Sequence, residues 1–420
     1  MPDTLIEKVL RNASGGKPVS PGDIVVCDVD MTVLLDLQFS DGRLGDVIKV
    51  PDPDKLAIVM DHAVPAPSIR DADAGRKARA FAAGHGIARL FDVGRHGIVH
   101  QVIAEQALAR PGMVIACSDS HTCAAGAFGA AARGLGPAEM LQIVCTGRTW
   151  YQVPPTLRYE LTGEKHAYVN GKDIFLHIAG QYGDASDHAV EFAGPGLATL
   201  PMPDRRTIAT QGAEIAADFT IFPADRLCLD HIAQAAPDAD RAELEPDSEA
   251  RYAASRQLDL ADVSPMVARP GGVINNAGPV GDVAGTRIDQ AFIGSCANGQ
   301  LADLETAARM LKGHQVAPST RLIVTPASQR IYAEAARLGY LADLAEAGAT
   351  VTNSTCGACF GYSMGVLGAG EVCITASTRN FKGRMGSPEA SVFMASPATV
   401  AASAIRGVIT DARELDGARS

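Results

Sequence analysis

Three cysteines of this chain stand where metal chemistry is possible. Cys356 and Cys359 form a C-x-x-C in the glycine-rich stretch STCGACFG, and Cys296 lies in FIGSCANG. A C-x-x-C alone fits burial, zinc or redox chemistry equally, because a thiol is a small apolar group when protonated and a soft ligand or nucleophile when not. A third thiol following another strand shifts the balance toward a metal centre. Sulfur ligands suit zinc or an iron–sulfur cluster, and three ligands instead of four leave one metal position open, as catalysis at a metal requires.

A second group of residues can move protons. Asp61-His62 in VMDHA, His100 in GIVHQ and Asp119-Ser120-His121 in SDSHT place carboxylates and imidazoles close in sequence, the pairing that tunes a proton donor near neutral pH. Taken singly each has a plainer reading. Asp119 is a good helix N-cap, and a lone His62 or His100 is more often a hydrogen-bonded packing residue. Arg379 and Arg384, in TRNFKGR, carry the planar guanidinium that suits two-point contact with a carboxylate, although a solvated loop charge explains them as well.

The elements that must position these groups read as alternating strands and helices. From Pro51 to Gly147, DKLAIVMDH and MVIACSDSHT are strands running into loops, while IVHQVIAEQALARPG and AAGAFGAAARGLGPAEMLQIV read as helices. Consecutive prolines at Val153-Pro154-Pro155 mark a boundary. A smaller mixed segment follows, with LRYELTG a strand and TIATQGAEIAAD a helix. From about Ser264 the alternation resumes: IDQAFIGSC, TRLIVTP, ATVTNSTCGAC and EVCITASTRNF are strands, with helices in LADLETAARMLKG and SQRIYAEAARLGYLADLAEAG. Parallel α/β layering in three domains is expected, 1–153, 154–263 and 264–420. In such sheets ligands gather outside the carboxyl ends of the strands, where every residue named above falls.

Composition narrows the function classes. At 420 residues the chain is long for one domain. A formal net charge of -11 without a run of Lys and Arg argues against a nucleic-acid partner. It leaves an anionic substrate open, because a few arginines can make a local positive pocket. No apolar stretch approaches the length of a membrane span or a signal-peptide core, so a cytoplasmic protein without a membrane partner is expected. Nine cysteines, an odd number spread through the chain, do not look like a disulfide framework.

The ordered set GSCANG, CGACFG and TRNFKGR resembles the cluster-binding part of the aconitase family. MDH, GIVHQ, SDSHTCAAGAFG, NGKDI and SPATVAASAIRG extend the resemblance over essentially the whole chain. It is strongest to the large-subunit branch of isopropylmalate isomerase and homoaconitase. The resemblance implies three α/β domains around a central [4Fe-4S] cluster, held by Cys296, Cys356 and Cys359. It implies a hydro-lyase or isomerase acting on a hydroxy di- or tricarboxylic acid, with 2-isopropylmalate to 3-isopropylmalate as the type reaction. Asp61, His62 and His100 would protonate the departing hydroxyl, Asp119 and His121 would hold that network, and Glu214 would act on the water. Ser120, Lys172, Arg379 and Arg384 would bind substrate.

The resemblance also implies a swivelling fourth domain with the serine that takes the C–H proton, and the stretch after Gly407 is not expected to be long enough to form it. A separate small subunit is expected to supply it. Two positions depart from the family, Thr210 and Thr378, where asparagine is usual, and Ala297 stands where threonine is usual. A threonine has one donor where an asparagine amide has two. Homoaconitate, dimethylmalate or citraconate-type substrates therefore remain open, as do a zinc lyase and a cluster-sensing regulatory or RNA-binding relative.

Overall fold

Short apolar runs that must be buried on both faces become the centres of parallel sheets. In the computed structural model, which describes residues 2–40, 44, 47–239 and 242–416, Met31–Leu35 and Leu56–Val59 are buried at every position. They are neighbours in a five-stranded sheet of order Arg89–Phe91, Leu56–Val59, Met31–Leu35, Val114–Cys117 and Ala131–Gly134, parallel throughout. A four-stranded parallel sheet follows, in the order Phe219–Ile221, Ala189–Ala193, Thr156–Thr162 and Ala254–Asp259. The last stretch forms a seven-stranded sheet. In it Ser391–Ala395, Val372–Thr375, Gln290–Ile293, Arg321–Val324 and Thr350–Val351 run parallel. Met266–Ala268 and Ala277–Pro279 extend its edge, Met266–Ala268 running antiparallel to both its neighbours.

Each of the three expected stretches thus carries its own sheet, yet the chain divides into two compact units. One is Met1–Gly163 with Ala185–Asp259, and the other is Glu164–Asp184 with Leu260–Ser420. Residues 154–263 are not set apart as a unit of their own, and local packing accounts for it. A Cβ on Gly126 would lie 1.7 Å from the Thr220 carbonyl oxygen, and one on Gly212 would lie 1.8 Å from Thr220 Oγ1. Only glycine lets the segment after the DSHT motif and the end of helix Met202–Gln211 press on strand Phe219–Ile221. In the second unit, Asp173 of helix Gly171–Tyr182 accepts the backbone N–H of Met266 at 2.9 Å.

Two readings of local structure change. The stretch from Ala124 to Val144 is not one helix. It is a 3-10 segment, Ser120–Phe128, then the strand Ala131–Gly134 and the helix Pro137–Thr146. Gly129, at φ 71°, ends the first turn, and Pro137 starts the next helix. The central strand Met31–Leu35 lies before Pro51, where the alternation was read as beginning. Among the described residues no helix is long and apolar enough to cross a membrane.

Candidate active site

In the first unit, two loops at the carboxyl edge of the five-stranded sheet and one helix bring the proton-carrying candidates together. Asp61 and His62 follow Leu56–Val59, Asp119 follows Val114–Cys117, and His100 stands in helix Val99–Glu105. His100 Nε2 is 2.8 Å from Asp119 Oδ1, which also accepts the backbone N–H of His121 at 2.8 Å. His121 Nε2 lies 3.0 Å from Glu214 Oε1. His62 Nε2 is 3.9 Å from Asp119 Oδ2, and its Nδ1 is 3.7 Å from Asp61 Oδ2. Asp61 Oδ2 accepts the Val99 N–H at 3.0 Å, capping a helix whose own N-cap residue, Ile98, has no side-chain acceptor. Ser120 is half-buried beside them.

The electrostatics assign states to these groups. Burial works against an ionised Asp119, but hydrogen bonds from His100 and His121 outweigh it and hold the carboxyl well below its ordinary range. Burial lowers the His100 pKa and Asp119 opposes it, with a net shift downward. An ionised Asp119 only accepts, so His100 Nε2 carries the proton, and in the neutral ring Nδ1 is a bare acceptor. That Nδ1 is buried with no hydrogen-bond partner. Asp61 differs from Asp119. Burial pushes its pKa up to about 7, His62 pulls against the rise, and Asp36 adds to it. One carboxyl is kept ionised and the other holds a proton into the neutral range, a division of roles suited to acid–base work.

Asp36 belongs to this group although no motif singles it out. It follows the buried strand Met31–Leu35 and accepts the backbone N–H groups of Leu37, His62 and Ala63 at 3.0, 3.2 and 2.7 Å. A single carboxylate closing an apolar run, VLLDLQF, was the available signal.

In the second unit, Cys296 lies on the short helix Ser295–Asn298 after strand Gln290–Ile293. Cys356 and Cys359 lie on the turn after Thr350–Val351, and Thr378 and Arg379 follow Val372–Thr375. These strands are parallel, so their loops share one edge of the sheet. None of the three is in a disulfide, and all are buried, at 6%, 9% and 1% exposure. Cys356 and Cys359 pack with Phe292, Ile323 and Met385. Ser295, directly before Cys296, has φ 82°, a strained conformation for a residue with a side chain. Gly361 has φ 69°, and a Cβ there would lie 2.7 Å from the Arg384 carbonyl oxygen, so the CGACFG turn lies directly against the TRNFKGR loop.

Polar groups surround Cys359. Thr378 Oγ1 and Arg384 Nη2 are each 3.9 Å from its Sγ. The Arg384 guanidinium stands 5.4 Å from the Phe360 ring centre and 6.0 Å from that of Phe381. Arg379 is half-buried. Lys172 is fully buried, and its Nζ donates to the Ser377 carbonyl at 2.8 Å, directly before Thr378. Of the two threonines that stand where the resemblance implies asparagine, Thr378 keeps a hydroxyl toward a candidate ligand sulfur. Thr210 donates its hydroxyl to the Arg206 carbonyl of its own helix at 2.6 Å. Other buried cysteines are held as thiols: burial raises Cys117 and Cys228 each to about 12.

The model of the Aconitase family (aconitate hydratase) matches residues 45–407. The chain belongs to the aconitase family. Among relatives of this family, the 3-isopropylmalate dehydratase large subunit of Mycolicibacterium smegmatis is 60% identical over 415 residues, 98% of this chain and 97% of that one. The probable methanogen homoaconitase large subunit of Methanothermobacter thermautotrophicus is 40% identical over 423 residues, covering 98% of each. A crystal structure of Thermococcus kodakaraensis aconitase X (holo-form) aligns over 84% of each chain at 13% identity, with a TM-score of 0.48.

Enzymes of the family generally carry an iron–sulfur cluster. The donor chemistry here suits one, with three buried thiols on loops at one sheet edge. The buried Ser354 hydroxyl, two residues before Cys356, has no partner and is a free donor of the kind that tunes cluster sulfurs. Among the described residues no three His, Cys, Asp or Glu side chains are placed to share a single metal ion.

Proposed function

We propose that this chain is the large subunit of an aconitase-type hydro-lyase that interconverts 2-isopropylmalate and 3-isopropylmalate by removing and re-adding water. The observation that carries this reading is the 60% identity, over nearly the full length of both chains, to a 3-isopropylmalate dehydratase large subunit. The reaction is hard for two reasons: hydroxide leaves poorly, and a proton beside a carboxylate is weakly acidic. A [4Fe-4S] cluster held by Cys296, Cys356 and Cys359 would supply a Lewis acid for substrate oxygens.

The chain's own residues handle orientation and protons. Arg379 and Arg384 present guanidinium groups to substrate carboxylates, and Ser120 offers a hydroxyl. Lys172, whose Nζ is bonded to the Ser377 carbonyl, serves the substrate by holding the Thr378–Arg379 loop. Asp61, with its pKa near 7, and its neighbour His62 supply the proton for the departing hydroxyl. His100 takes or returns a proton at Nδ1, because Asp119 occupies Nε2. Glu214 orients His121, and through it the Asp119 hub.

The proton on carbon needs a base of its own, a role given to none of the residues above. We assign it to a serine on a separate small subunit, whose existence the large-subunit names of the relatives imply. A cytoplasmic role in amino-acid biosynthesis accords with this reading. Homoaconitate is the second substrate reading, favoured by the 40% identical homoaconitase relative.

The test mixes the cluster-reconstituted chain with each candidate small subunit and offers both acids. Turnover of 2-isopropylmalate with one small subunit, and little without it, is expected. Turnover of homoaconitate alone would replace the substrate, and full activity of the isolated chain would overturn the two-subunit reading.

A further inference from the structure

Asp36 stands at the carboxyl end of the central strand, between the two strands whose loops carry Asp61-His62 and Asp119. It is 4% exposed. Two of its three hydrogen bonds run across the sheet edge to successive N–H groups, those of His62 and Ala63. Its Oδ1 is also 3.9 Å from His62 Nδ1. Adjacent N–H groups held by one buried carboxylate fix the peptide that carries the imidazole, since losing the His62 bond leaves a buried donor unsatisfied and losing the Ala63 bond a partly buried one. We infer that Asp36 is a positioning residue for the reaction: its carboxylate seats the Asp61–His62 loop and sets the charge that Asp61 experiences.

This inference rests on the reading that Asp61 and His62 deliver the proton. Groups on four elements face Asp61. They include Asp36 from the central strand end, His62 from its own loop, Cys117 and Asp119 from the next strand end, and the Val99 N–H from the helix that begins there. Asp36 and Asp119 disfavour ionisation of Asp61, while His62 and the N–H favour it. Removing the Asp36 charge therefore lowers the Asp61 pKa. A loop anchor that acted by shape alone would leave that pKa where it is.

The test uses the reconstituted two-subunit enzyme and the variants Asp36→Asn, Asp36→Glu and Asp61→Asn, with pH profiles of kcat and iron content for each. In Asp36→Asn, kcat is expected to fall about 10- to 100-fold, as for a displaced acid–base group. KM and iron content should hold, and the limb of the profile governed by Asp61 should move to lower pH. Asp36→Glu keeps the charge but displaces the anchor, so kcat should fall with that limb in place. An unshifted limb in Asp36→Asn, or wild-type kcat in Asp36→Glu, would overturn the inference. If Asp36→Asn does not fold, the Asp36→Glu result decides. Near-normal activity in Asp61→Asn would instead overturn the proton-delivery reading, which keeps the two failures distinct.

Discussion

Changing Cys359 to serine is expected to abolish turnover of the two-subunit enzyme, a loss of at least about 10³-fold, together with the visible absorbance of the cluster. Cys359 is the most buried of the trio, at 1% exposure. Thr378 and Arg384 both stand at its sulfur. A serine hydroxyl is a hard, weakly acidic ligand and a poor substitute for a thiolate on iron. The matched control is Cys228→Ala. Cys228 is also fully buried, but it lies in the first unit with its thiol pushed up to about 12. That variant should keep its iron content and activity. Iron and sulfide analysis beside a turnover assay reads both results. Equal loss in the two variants would mean that Cys359 matters for packing alone.

Replacing His100 with glutamine is expected to lower kcat by about 10²- to 10⁴-fold, the usual worth of a positioned acid–base group. KM and iron content should stay near wild type. The glutamine amide can still donate to Asp119, so the hydrogen-bonded frame survives while the basic Nδ1 atom is lost. The contrast is informative because Nδ1 is the buried atom without a partner. A steady-state comparison checks it. A variant within twofold of wild type would show that His100 packs and does not transfer protons.

How much of this was legible beforehand differs by residue. The motifs of Cys296, Cys356-Cys359, Asp61-His62 and Asp119-His121 could be placed because each lies past a short apolar strand, and parallel strands put such positions along one edge, whereas His100 stands in a helix. Strand periodicity also located most of the elements around them. Asp36 was not readable, because its strand precedes the stretch where alternation is obvious and its importance lies in backbone N–H groups 26 and 27 positions away in sequence. Lys172 fell in the stretch expected as a second domain. It lies instead in the second unit with Ser377, a pairing across 205 positions that no local pattern encodes. The long helix read after SDSHT fails for a related reason. Its Gly126 serves close approach to the Thr220 backbone and its Gly134 to that of Asp119 and Ser120, tertiary demands that override the local preference of an alanine-rich run. For Thr210, the bond of its hydroxyl to the Arg206 carbonyl within its own helix is a contact that sequence comparison does not show.

The most direct measurement is iron, acid-labile sulfide and zinc content, with EPR, on the wild-type chain assembled anaerobically. Four irons and four sulfides per chain are expected, with one iron lost on mild oxidation to leave a paramagnetic three-iron centre. One zinc per chain and an EPR-silent protein under every redox condition would contradict that expectation.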